Sequence, residues 1–151
     1  MVRATLGVIG AFVLMAVLVL VLSMGLWFVL GVDGVLRPGV FDGNALLNIY
    51  AVLAGIVGAV IAGWLCAKIS RSNTAVVVFA ALCFVMGTVN AVMQMNKPDP
   101  GPRAPGLSVR QAIEKRKEPM WFTLLMPVIG STSALLSGRR ALGSAANRQP
   151  S

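Results

Sequence analysis

The chain has no histidine, and only five of its 151 residues are acidic: Asp33, Asp42, Asp99, Glu114 and Glu118. Its two cysteines, Cys66 and Cys83, form no C-x-x-C. These absences remove most enzymatic chemistry. Hydroxyls are present, but no imidazole or paired carboxylate stands near one to activate it. No Cys/His/acid cluster has the spacing of a metal site. The lysines fall only in polar loops, away from any protected catalytic position. The sequence therefore predicts a protein that is not an enzyme and has no catalytic, cofactor or metal residues. The cysteines read as small buried hydrophobes.

Charge of either sign is also scarce. Charged residues make up 12% and hydrophobic ones 57%, against about a quarter and about half in a soluble domain. The apolar excess falls in four runs, 4–32, 46–67, 75–95 and 120–138. Each is long enough for the roughly 20 apolar residues that cross a bilayer. None carries an Asp, Glu, Lys or Arg in its central part. Too little chain remains outside them for a large soluble domain. The expected fold is all-α: one integral membrane domain over 1–151, a four-helix transmembrane bundle. The first run, about 28 residues, exceeds the 7–15 of a signal-peptide h-region and has no A-x-A site after it. It reads as a retained anchor, long enough to tilt or protrude.

The net charge of +8 fits residues that flank spans and touch anionic lipid, not nucleic acid. With the N-terminus inside, the inner segments carry Arg3, Lys68, Arg71, Arg139, Arg140 and Arg148. The outer ones carry Arg37, Lys97, Arg103, Arg110, Lys115, Arg116 and Lys117. Six against seven is a tie under the positive-inside rule. Two features break it. "KISR" (68–71) and "GRR" (138–140) abut their spans, and all five acids fall in the two outer loops. Both termini are thus expected inside. Trp27 and Trp121 would lie at the outer interface and Trp64 at the inner one.

The first loop holds the turn signals Arg37-Pro38-Gly39 and Asp42-Gly43-Asn44. It reads as a short turn, with Phe41 dipping into the interface and Asn44 capping the next helix. The third loop, 96–119, opens with "NKPDPGPRAPG", an extended spacer. "LSVRQAIEKRKEP" follows, with Ser108 and Gln111 spaced as a capping box. Val109, Ala112 and Ile113 make an apolar face. Arg110, Lys115, Arg116 and Lys117 decorate the rest. This predicts a short basic interfacial helix, for lipid or an acidic partner surface, ended by Pro119.

In the second run small residues recur every fourth position: Ala51, Gly55, Ala59, Gly63 and Ala67, beside Ala54, Gly58, Ala62 and Cys66. Residues four apart share a helix face. A phosphate-cradling glycine loop must break its helix, but Ile56, Val57, Val60 and Ile61 fill the gaps here. The stripe therefore reads as a helix-packing surface. Its possible partners are Cys83, Gly87 and Ala91 in the third run, Gly130, Ala134 and Gly138 in the fourth, or a second copy.

Polar residues at membrane depth are the default place to seek function. The third run offers Thr88, Asn90 and Gln94. The fourth offers Thr123, Ser131, Thr132, Ser133 and Ser137, with Pro127 freeing the Thr123 carbonyl. They suggest either a polar path for a small solute or plain interhelical hydrogen bonds. The lack of any ionisable group within the spans favours the second.

Three stretches, "AGIVGAVIAGWLCAKI" (54–69), "GTVNAVM" (87–93) and "PMWFTLLMPVIGSTSALLSGRRA" (119–141), resemble small four-span bacterial inner-membrane proteins. The shared features are a glycine-striped second helix ending in a basic A-x-I, a Gly-x-x-Asn in the third, and Pro-x-Trp opening a fourth that ends near Gly-Arg. The resemblance implies a multi-pass inner-membrane location with the N-terminus inside, and no activity. The expected function is a structural or accessory subunit packing through the small face of the second helix. The alternative is a homodimeric small-solute transporter or channel. Expected partners are membrane lipids and either a second copy or a larger membrane complex.

Overall fold

The computed structural model describes residues 2–103 and 106–146. Pro105 and Arg148, weighed above, lie outside them. Five helices run in order: α1 (Val2–Val35), α2 (Ala45–Ser70), α3 (Asn73–Met95), α4 (Val109–Lys115) and α5 (Met120–Ala146). Among the described residues there is no strand, only two isolated bridges, Leu36 with Gly43 and Asp42 with Lys117. All but α4 are long and apolar enough to cross a membrane. This is an all-α transmembrane bundle and a multi-pass architecture.

Local chemistry sets the helix ends. Asn44 Oδ1 accepts from the Leu47 amide at 2.8 Å, and its Nδ2 donates to the Gly34 carbonyl at 2.7 Å. One side chain thus caps α2 and ties it to the end of α1. Arg71 ends α2 at φ 50°, with its amide on the Ala67 carbonyl. Ser72 then caps α3. The two helices follow one another almost directly, so both lie antiparallel in the bundle.

At ~1.5 Å per residue α1 is about 50 Å long, against a ~30 Å hydrocarbon core. The helix is interrupted near its C-terminal end. There Gly31, at φ 64° and ψ −177°, breaks the helix; positive φ suits glycine because it has no Cβ. The final turn bends into the first loop.

α2 is the most buried span and α1 the least. α2 lies between α1 and α5, and α3 packs mainly on α5. The core is built from small residues, Ala11, Ala59, Ala62, Cys66, Ala67, Ala75 and Ala134, filled by Val76 and Phe79. Lipid supplies no hydrophobic drive between helices, so such a core is held by close backbone approach.

A second core sits at the other end of the molecule. Trp27, Val35, Leu36, Phe41, Leu47 and Ala112 are buried together, with Leu107, Val109 and Ile113 against them. This corrects three expectations. Trp27 is buried in the cap, not placed in an interfacial belt. Phe41 is only 3% exposed and does not dip into lipid. The apolar face of α4 covers protein, not membrane. The cause is shared: the two loops carry enough apolar side chains to bury one another.

Candidate functional site

The small-residue face of α2 is consumed within the chain. A Cβ at Gly58 would sit 3.1 Å from Val19 of α1. One at Gly63 would collide with the Ala134 carbonyl oxygen and Ser137 Oγ of α5. Ala54, Ala59, Ala62, Cys66 and Ala67 are buried, and Ala51 is half-buried. Gly55 faces only the flexible end of Met126, 2.7 Å from its would-be Cβ. In α3, Gly87 packs on Pro127 of α5, not on α2. Gly130 meets nothing within 4 Å, so it forms no close approach to the described residues. Ser137 adds a polar tie: its hydroxyl donates to the Val60 carbonyl at 2.8 Å.

The hydroxyls of α5 largely serve their own helix. Thr123 donates to the Met120 carbonyl at 2.9 Å, Ser131 to Pro127 at 2.7 Å and Thr132 to Val128 at 2.6 Å. Ser133 is half-buried. Thr88 of α3 likewise donates to Phe84 at 2.8 Å. Asn90 is exposed on α3, whereas its neighbour Ala91 is buried against the bundle. Gln94 is half-buried with its Oε1 orphaned. Asn90 and Thr123 are therefore not joined in one polar path between α3 and α5. Asn90 instead faces outward between Met86 and Met93, which are 50% and 66% exposed.

The cap is the most polar part. The Arg103 guanidinium donates to Asp33 at 2.6 Å and to the Val32 carbonyl at 3.4 Å, and its amide bonds Gly39 at 2.9 Å. Lys97 Nζ donates to the Glu114 and Arg116 carbonyls at 3.2 and 3.3 Å, closing the C-terminal end of α4. The predicted capping box on Ser108 and Gln111 is formed. The four basic residues of this segment do not share one face. Arg110 pairs with Glu114 in solvent, and Lys115 lies 5.8 Å from the centre of the Phe41 ring. The backbone of Lys117 bonds Phe41. Arg116 turns inward, 3.2 Å from Glu118, with both side chains 15% exposed. Burial pushes the Arg116 guanidinium below its usual pKa, and Glu118 opposes that. The separation from Glu118 meets the distance of an ion pair, but Arg116 Nε and Nη2 form no aligned hydrogen bond.

A cavity of about 520 Å³ opens between the two loops, lined by Arg37, Asp42, Asp99, Lys117, Glu118 and Trp121 among others. It contains no nucleophile beside a base. Among the described residues no three His, Cys, Asp or Glu side chains stand close enough to hold a metal ion. The sequence reading missed this cap. The signal was there in Leu36, Phe41, Leu107 and Ile113, apolar residues spaced through segments otherwise rich in turn formers. No family model, curated protein or solved structure matches the chain.

Proposed function

We propose that this is a non-catalytic membrane protein, a structural or accessory subunit that docks another transmembrane helix on the outer face of α3. The observation that carries this reading is Asn90. Its carboxamide is exposed and makes no hydrogen bond among the described residues. It lies five residues, ~7.5 Å, before the end of a ~34 Å helix, and so about 5 Å inside a ~30 Å hydrocarbon core. An unpaired amide there is costly, and a partner helix relieves it. The surrounding Met86 and Met93 adapt readily to a partner surface. The small face of α2 is already covered by α1 and α5, which moves the docking surface to α3.

The reading is preferred over a solute conduit because the α5 hydroxyls of Thr123, Ser131 and Thr132 are spent on their own backbone. The spans also hold no charged residue at their centres. A bacterial inner membrane with both termini in the cytoplasm remains part of the proposal. It is supported by the chain's resemblance to four-span proteins and by the placement of Lys68, Arg71, Arg139 and Arg140 at the acid-free end. Gentle extraction with mass spectrometry of the native particle tests the proposal. A stoichiometric partner or second copy, lost on Asn90→Leu, supports it. A monomer insensitive to Asn90→Leu contradicts it.

A further inference from the structure

The acid-free end carries a groove that the accessory role does not use. It lies between α2 and α5, with a volume of about 1060 Å³. Lys68 and Arg140 line one part of it, and Val60, Ile61 and Leu136 another. These three aliphatic side chains are 40%, 39% and 52% exposed. Val60 lies eight residues, ~12 Å, below Lys68 along α2. The groove thus runs from a cationic rim down into membrane depth. Trp64 forms its wall between the two, with Lys68 Nζ 5.2 Å from the ring centroid.

Among the described residues no acid stands against the charge of the rim. All five acids lie at the far end, in 33–42 and 99–118. The ion pairs found among the described residues involve Arg103, Arg110 and Arg116, and neither Lys68 nor Arg140. The hydroxyls beside the cations are already donating: Ser137 to Val60 and Ser144 to the Arg140 carbonyl. The donors left at the rim are the Lys68 ammonium and the Arg140 guanidinium, both suited to a phosphate. Cationic pockets between transmembrane helices at the membrane surface suit anionic lipid headgroups.

We infer that this groove is a binding site for one anionic phospholipid. The headgroup phosphate sits between Lys68 and Arg140, and an acyl chain lies along Val60, Ile61 and Leu136. The inference rests on the chain spanning a membrane and is independent of any protein partner.

Native mass spectrometry of the purified full chain, titrated with phosphatidylglycerol or phosphatidylcholine, tests it. One phosphatidylglycerol is expected to be retained in preference to phosphatidylcholine. Lys68→Gln with Arg140→Gln should weaken retention about thirtyfold, roughly fivefold per basic contact. Arg71→Gln with Arg139→Gln makes the same charge change outside the groove and should leave retention intact. Ile61→Trp, which fills the apolar part, should also weaken it. Equal retention of the two lipids, or equal loss in both charge pairs, would overturn the site. So would displacement of the lipid by excess inorganic phosphate, which needs no acyl groove. Lys68 and Arg140 are exposed and outside the core, so an unchanged melting temperature separates loss of binding from loss of fold.

Discussion

The hydroxyl of Ser137 on α5 donates to the backbone carbonyl of Val60 on α2, 2.8 Å away. One turn further along α2, Gly63 lies against the Ala134 carbonyl and the same hydroxyl oxygen. The two backbones therefore meet directly, with only the Ser137 hydroxyl beside the contact. Gly63→Ala must push α5 away and should cost at least the ~1–3 kcal/mol of an overpacked core. Gly55→Ala needs only the Met126 tip to move, and Gly130→Ala meets nothing; both should be near neutral. Ser137→Ala should cost about 0.6 kcal/mol. Thermal unfolding of the four variants in one detergent checks the order. Equal effects at Gly63 and Gly130 would contradict the packing.

The Arg116–Glu118 pair makes a sharper test of the cap. Removing one partner of a buried pair leaves a charge uncompensated, whereas replacing both with apolar groups is often neutral. With both side chains 15% exposed, Glu118→Ala should cost about 1–3 kcal/mol, less than the value for full burial. Arg116→Met with Glu118→Leu should recover most of it. A double variant as unstable as the single one would show that the charges themselves hold the cap.

Arg103 joins the third loop to the end of α1 through two side-chain bonds, to Asp33 and the Val32 carbonyl, and to the first loop through its amide on the Gly39 carbonyl. The Asp33 partner is 92% exposed, so that ion pair alone is worth at most about 1 kcal/mol. Asp33→Ala should therefore change little. Arg103→Ala also removes the bond to the Val32 carbonyl and should speed proteolysis within 96–107. Equal protease sensitivity in the two variants would remove Arg103 from its anchoring role.

The four spans were legible because each is a long apolar run free of central charge. The caps on Asn44 and Ser108 were legible because their chemistry is local. The cap core was not. Phe41 and Ala112 meet only after the chain has crossed the membrane twice, and no local pattern reports that pairing. The stripe on α2 was visible as a packing surface, but periodicity cannot say which helix covers it. Small residues suit an internal neighbour and a foreign one equally. Asn90 showed as a polar residue in a span, but its exposure depends on how α5 packs on the adjoining face of α3, where Gly87 meets Pro127.

The proposed orientation predicts which sites reagents can reach. A cysteine at Asp99 or Arg110, in a chain lacking Cys66 and Cys83, should react with an impermeant maleimide added to intact spheroplasts. One at Arg71 should react only after lysis. The reverse pattern would invert the topology while leaving the fold unchanged.

The most direct test of the central claim is photo-crosslinking from α3 in native membranes. A photoreactive residue is placed in turn at Met86, Asn90 and Met93, with Val13 and Val17 of α1 as lipid-facing controls. The account predicts a discrete protein adduct from the α3 positions, a second copy or another membrane protein, and none from α1. Lipid adducts alone from α3, with the protein folded, would contradict the docking role.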